Sequence, residues 1–384
     1  MIKGERMYYN DFHDLKLSGL GLGCMRLPCI DGDESRPDPA KVQEMIDYAI
    51  ANGVNYFDTA WGYHGGNSEA IIGEALSKHD RSEFYLASKF PGYDRKNFDR
   101  KEEIFETQLE RCKTDHFDFY LCHTLTEENE PWYMDDELGL LDYLVEQKNA
   151  GRIKHLGFSC HSGFDTMHNF VKKYWKHLDF CQIQLNYLDF EFQDAKSKVE
   201  YLNNLGMPIW VMEPLRGGKL AQSCLGGEKM LAKSNPDFTP ANWAFAFLQS
   251  VPGVTMILSG MSNMEQLQQN IEFFGEKHRI SDDDIATLLT AAHFDTQGAG
   301  TVPCTACRYC VSKCPQGLPI PDLFAEYNEA VYAKKTSISA GTMSSYPEDK
   351  WPTKCIGCGE CAKVCPQHID IPGTMKKFGE MIEK

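Results

Sequence analysis

The chain has 384 residues, enough for one large core and one small one, since single hydrophobic cores seldom grow past about 250–300 residues. Lys+Arg of 39 against Asp+Glu of 55 leaves a formal charge of −16, the wrong sign for a phosphate-backbone binder, which excludes nucleic acid as a partner. The opening "MIKGERMYYNDFHD" has no apolar run of signal-peptide kind, and no stretch approaches the ~18 uninterrupted apolar residues of a membrane span, so a cytoplasmic protein is expected.

From residue 19 to about 290, short apolar or β-branched runs alternate with longer stretches of helical period. The strand candidates in chain order are "LGLGCM", "VNYFD", "FYLASK", "FDFYLCH", "IKHLGFS", "FCQIQLN", "PIWVME" and "VTMILSG". Between them lie helix candidates such as "PAKVQEMIDYAIANG", where Val42, Met45, Ile46, Ala49 and Ile50 recur at three and four and Gly53 follows as a stop. "SEAIIGEALSKH", "KEEIFETQLERCK", "LGLLDYLVEQKNAG" and "NMEQLQQNIEFF" behave alike. Eight such pairs predict an α/β chain, a (β/α)8 TIM barrel over residues 1–292. A doubly wound sheet is the alternative, but "GLGLGCMRLP" lacks the G-x-G-x-x-G spacing that opens one.

After "SDDDIATLLTAAHF" the Gly and Pro content of "DTQGAGTVP" marks a linker over 293–303. A second unit is expected over 304–384, with an insert at about 324–352. It contains a repeat, "CPQGLPIP" answered by "CPQHIDIP".

Fifteen cysteines without an export signal argue for metal ligands and free thiols rather than disulfides. Seven of them (Cys24, Cys29, Cys112, Cys122, Cys160, Cys181 and Cys224) are scattered and read as small buried residues. The other eight form "CTACRYCVSKCP" and "CIGCGECAKVCP", three cysteines at spacing three, a fourth four further on, then proline. That is the bacterial iron–sulfur run, whose fourth ligand serves the other cluster. Cys304, Cys307, Cys310 and Cys365 are therefore assigned to one 4Fe–4S cluster, and Cys355, Cys358, Cys361 and Cys314 to its twin. Zinc ribbons pair two C-x-x-C hairpins, and a third cysteine with Pro315 and Pro366 fits them poorly. The unit resembles bacterial two-cluster ferredoxins.

Barrel chemistry sits at the C-terminal ends of the strands. Those ends supply Asp58, Tyr63 five residues on, Lys89 and His123. A carbonyl accepting hydride needs a proton, which a phenol of pKa ≈ 10 gives reluctantly at neutral pH. The Lys89 ammonium is expected to lower that value, Asp58 to place the ammonium, and His123 to orient the substrate oxygen. With "GLGLGCMRLP" and "DTAWGYHGGNSE", these four residues resemble the aldo-keto reductase family.

The resemblance implies hydride transfer between a carbonyl or alcohol substrate and a nicotinamide cofactor across the barrel mouth. In the family the nicotinamide amide is held by a Ser-Asn pair after the fifth barrel strand and a Gln on the sixth. Ser159 and Gln182 match, while Cys160 stands at the Asn position. The stacking aromatic is replaced by Met212, with Pro214, Leu215 and Gly217 at the pyrophosphate loop and Cys24, Met25 and Asp58 at the near rim. In "GMSNMEQLQQN", Ser262 and Asn270 fall at contact positions, but the basic residues that grip the NADP phosphate fall at Gly260 and Gln266. NADP and NAD both stay open, with Arg216 and Lys219 as compensating cations.

Hydride carries two electrons, a cluster one, and no motif announces a flavin to convert between them, although a flavin stays open. Three readings follow: an oxidoreductase whose clusters exchange electrons with a protein partner, an enzyme with structural clusters, and an electron-transfer or redox-sensing chain with a weakly active barrel. Trp61, Trp132 and Tyr133 offer aromatic surfaces near the mouth.

Overall fold

The computed structural model describes residues 7–304, 308, 310–335, 337–338, 343, 346–365 and 367–382. The chain divides into two compact units, 1–288 and 289–384.

The first unit is a closed barrel of eight parallel strands: β3 (Leu20–Gly23), β4 (Tyr56–Asp58), β5 (Tyr85–Phe90), β6 (Phe117–Leu125), β7 (Ile153–Cys160), β8 (Phe180–Gln184), β9 (Ile209–Met212) and β10 (Val254–Ser259), with β10 closing onto β3. Each of the eight predicted runs overlaps one of these strands; five contain theirs whole, while β5, β6 and β7 continue one or two residues further. Their inward residues are large: Tyr56, Phe119, Phe180, Trp210 and Met256 fill the interior in one cluster, so the barrel is a packed core and not a pore.

Sequence reading did not anticipate the two strands before the barrel, β1 (Tyr9–Phe12) and β2 (Leu15–Ser18), an antiparallel hairpin of four residues each. "YNDF" and "LKLS" are too short and too polar to stand out. Phe12 and Leu17 nevertheless join the interior cluster, so the hairpin packs its apolar face into the barrel. The pairing of Phe12 with Leu15 leaves a two-residue turn in which His13 takes φ 52°.

The helices begin and end where local chemistry says they should. Asp38 accepts from Ala40 N (3.1 Å) and Lys41 N (3.3 Å), and Pro39 opens the helix Pro39–Ala51, which buries Val42, Met45, Ile46 and Ala49. Gly53 follows at φ 93°, where a side chain would be strained. The helix Ser68–Leu76 runs so close to the end of the helix Lys101–Arg111 that a Cβ on Gly73 would meet Arg111 O at 2.4 Å.

In the second unit, the repeated "IP" opens two helices, Ile320–Tyr332 and Ile371–Met381, with proline near the first position of each. Their inner faces, Leu323, Phe324 and Tyr327 against Met375 and Phe378, form the small core. The region read as an insert continues the first of these helices to Tyr332 and later makes short turns at Glu348–Lys350 and Pro352–Lys354. Residues 293–298, read as the start of a linker, continue the helix Asp282–Gly298, because glycine first appears in this stretch at 298. No helix among the described residues is long and apolar enough to cross a membrane.

Candidate active site

Three neighbouring strands deliver the polar groups. Asp58 ends β4, Lys89 lies near the end of β5 and His123 near the end of β6, and parallel pairing holds these strands in register. Tyr63 comes from the loop after β4. There His64, Gly65 and Gly66 all take positive φ, which folds the loop tightly back over the strand end.

Lys89 is fully buried and donates to Asp58 Oδ1 and to Thr59 O, the latter at 2.7 Å. Its Nζ lies 5.0 Å from the Tyr63 ring centroid, and the Tyr63 ring meets His123 edge-on at 5.8 Å. Burial raises the Tyr63 phenol above its ordinary value, and Lys89 opposes that shift without reversing it. The expected lowering is thus present as a contribution and outweighed by desolvation. Burial pushes Asp58 up as well, with Lys89 pulling it back, while Asp58 and Tyr63 keep Lys89 charged above the usual lysine value against its own burial. His123 is held well below the ordinary imidazole value, first by burial and then by Lys89 and His161. It is a neutral ring at pH 7. Asp58 Oδ2 and His123 Nδ1 are buried without a partner among the described residues.

Beneath the site lies a network that sequence reasoning missed. Gln108 Nε2 donates to Lys89 O (3.0 Å), Ser88 Oγ (3.0 Å) and Glu69 Oε1 (2.6 Å), and Gln108 Oε1 accepts from Tyr120 (2.5 Å). Arg111 reaches Glu69 Oε2 at 3.3 Å. These residues sit under an ordinary-looking helix, and "NSE" and "TQLER" carry no signal of it. Tyr133, read as a mouth aromatic, is buried and donates to His123 O (2.8 Å), so it braces the imidazole from behind. One face of Trp61 is covered by the Arg111 guanidinium, 4.1 Å from the ring centroid. Trp132 packs edge-on against Phe98.

Around the rim, Ser159 pairs with Gln182 across β7 and β8. Ser159 Oγ accepts from Thr124 N at 2.7 Å, and Gln182 Oε1 is buried with no donor among the described residues. Such an orphaned acceptor suits the amide hydrogens of a carboxamide. The Cys160 thiol faces Ser162 Oγ at 3.0 Å, and burial pushes its pKa up. Cys24 is buried beside Asp58, its carbonyl taken by Ser68 Oγ at 3.2 Å, while Met25 is exposed.

Met212 ends β9, and the loop after it bends through Glu213, Arg216, Gly217 and Gly218, all at positive φ, with Gly217 N donating to Glu213 Oε2 (2.7 Å) and Pro214 and Leu215 between. Arg216, weighed as a phosphate cation, donates to the buried Asp189 at 2.9 Å. Gln266 is a capping residue: its Oε1 accepts from Ser262 N (2.8 Å) while Asn263 Oδ1 accepts from Gln266 N (2.9 Å). Asn270 donates to Ser259 Oγ at 3.2 Å. A Cβ on Gly260 would sit 3.2 Å from Arg26 Cβ and 3.3 Å from its Cγ. The stem of Arg26, next to the predicted Met25, therefore covers Gly260.

In the second unit, two small apolar hollows collect the cysteines. One is lined by Cys304, Cys310 and Cys365 with Phe324 and Ile369, the other by Cys314, Cys355, Cys358 and Cys361 with Leu318 and Met375. Each hollow mixes cysteines of both motifs. Cys307 and Pro366 lie outside the described residues.

Residues 19–292 match the model of the Aldo/keto reductase family, and residues 303–369 that of a 4Fe-4S dicluster domain. Among curated relatives, the uncharacterized oxidoreductase YqkF of Bacillus subtilis is 26% identical over 72% of this chain and 92% of its own. The NADH-specific methylglyoxal reductase of Escherichia coli is 26% identical over 72% and 94%. A solved aldo/keto reductase of Klebsiella pneumoniae in complex with NADP and acetate superimposes with a TM-score of 0.58 at 18% identity, covering 74% of this chain and 94% of that one, a likeness of fold. Barrel, strand-end residues and matched span agree: this chain belongs to the aldo/keto reductase family and carries a 4Fe-4S dicluster domain behind its barrel.

Proposed function

We propose that the barrel interconverts a small carbonyl compound and its alcohol, with Tyr63 as the proton donor and acceptor. What carries this reading is Lys89, buried between Asp58 and Thr59 O with its charge 5.0 Å from the Tyr63 ring. A nicotinamide dinucleotide, when bound, supplies or accepts the hydride. Neutral His123 donates a hydrogen bond to the substrate oxygen, and Tyr63 delivers its proton to that oxygen as charge develops on it. Lys89 steadies the phenolate left behind, and Asp58 keeps the ammonium in place.

Gln182 and Ser159 hold the carboxamide, Met212 covers the ring, and Pro214, Leu215 and Gly217 border the pyrophosphate. Gly260, Ser262, Gln266 and Asn270 line the far phosphate, with Arg26 as its cation. The names of the relatives point to both NADH and NADP, so the choice between the two rests on Arg26 in this chain.

Cys304, Cys307, Cys310 and Cys365 would hold one 4Fe–4S cluster, and Cys314, Cys355, Cys358 and Cys361 its twin. Bound there, the clusters would supply one-electron chemistry toward a protein partner. The test is an anaerobic preparation analysed for iron and sulfide, then titrated with NADH and NADPH while cluster absorbance and carbonyl turnover are followed. Turnover that disappears in Tyr63→Phe, with dinucleotide binding kept, supports the reading; turnover equal to the parent's in that variant overturns it.

A further inference from the structure

At the strand starts, away from Lys89 and Tyr63, the hairpin turn brings together three groups that no step above uses. We propose that His13, His155 and Asp179 form a divalent-metal site of the zinc class on the barrel floor. One ligand atom from each lies within 4.8 Å of the other two. His13 sits in the β1–β2 turn, His155 near the start of β7, and Asp179 immediately before β8, so residues far apart in sequence converge through the fold alone.

The two imidazoles stack at 5.5 Å with planes 5° apart, and Phe12 meets both edge-on, at 4.5 and 4.9 Å. Phe119 stacks on His155 from the barrel side at 5.0 Å. The aromatic packing sets the direction of the His155 ring. Asp179 Oδ2 accepts from Leu156 N (2.8 Å) and Lys148 Nζ (2.5 Å), which fixes the carboxylate while engaging one oxygen only.

Two imidazoles and a carboxylate, with a water in the fourth position, are a donor set for zinc and its neighbours rather than for magnesium or calcium, which take oxygen. Bonds of about 2.0–2.2 Å place donors roughly 3.3 Å apart, so the donor atoms must draw in by at most about 1.5 Å. His13 is exposed on a two-residue turn and is the group free to make that move. Bound metal would tie the hairpin to the starts of β7 and β8 and close the barrel floor.

The full chain with both clusters loaded is used, kept anaerobic, with iron and sulfide measured before and after zinc is added. Crystals soaked in zinc chloride are measured above and below the zinc absorption edge, and thermal unfolding is followed with and without zinc. His13→Asn serves as the variant because asparagine tolerates the positive φ of the turn. The expected result is an anomalous peak between the three side chains, a rise in the barrel's Tm of a few degrees in the parent, and zinc binding roughly tenfold or more weaker in His13→Asn. The proposal is overturned by the lack of a peak at the hairpin, by a peak at the cysteines alone with loss of iron, or by an equal zinc effect on parent and variant.

Discussion

Lys89 and Asp58 form an ion pair that is closed to solvent on both sides, the ammonium on β5 and the carboxylate on β4. Removing one partner leaves the other charge buried and uncompensated, which typically costs about 3–5 kcal/mol. Lys89→Met should therefore unfold at clearly lower denaturant and lose carbonyl reduction by about 10²–10⁴-fold. Denaturant melts and turnover, measured on the same preparation, check it. Stability unchanged within error would mean the pair contributes nothing net.

Tyr63→Phe removes only the hydroxyl. Its turnover should fall by about 10²–10⁴-fold while the dissociation constant for the dinucleotide stays within about twofold. Fluorescence titration and steady-state kinetics separate the two. Parallel loss of binding and turnover would assign Tyr63 to holding cofactor instead.

His123 fixes the sign of one pH effect. Its folded pKa lies below the unfolded imidazole value of about 6.5, so the folded protein resists protonating it. Stability is therefore full above about 6.5 and is lost as pH falls toward the lowered folded value. Carbonyl reduction should show no imidazole break between about pH 6 and 8. The raised Tyr63 phenol adds that reduction persists through neutral pH, while alcohol oxidation, which needs the phenolate, speeds up as pH rises. A limb of the kcat/KM profile centred near 6.5 that vanishes in His123→Gln contradicts this.

Cross-ligation has a countable consequence. Cys365→Ser should disturb the cluster held by Cys304 and Cys310, and Cys314→Ser the cluster held by Cys355, Cys358 and Cys361. Each variant should retain about half of the parent's iron. Iron analysis with spin-resonance spectra of the reduced protein reads it; both signals lost equally in either variant would argue against two separable centres.

Arg26 covers Gly260 with its stem. If its guanidinium serves the far phosphate, Arg26→Ala weakens NADPH binding by about ten- to a hundredfold and NADH binding much less. Side-by-side calorimetry decides, and equal loss for both dinucleotides, or none, removes Arg26 from that role.

The barrel was legible because every one of its strands is an apolar run ended by a turn or a functional residue: "VNYFD" ends at Asp58 and "FYLASK" at Lys89. The hairpin was not, because burial of Phe12 and Leu17 is decided by the barrel interior they enter, which no local pattern in "YNDF" or "LKLS" reveals. Gln266 looked like a lost cation and is a helix cap, and Arg26, which the sequence did not single out, lies against Gly260. The Arg26–Gly260 contact joins segments more than two hundred residues apart. The Tyr63 phenol shows a second limit: the presence of Lys89 was readable, but how far desolvation offsets it depends on depth in the fold.

Gln108 leaves one last constraint. Its amide nitrogen serves three acceptors and its oxygen one donor, so only one orientation of the group satisfies all four partners. Glutamate, the same size and shape, would place a second carboxyl against Glu69, and the two would have to share a proton. The acid form of this one side chain would add a second titrating group to the floor under Lys89, whereas the amide leaves Glu69 as the one carboxyl Gln108 touches there.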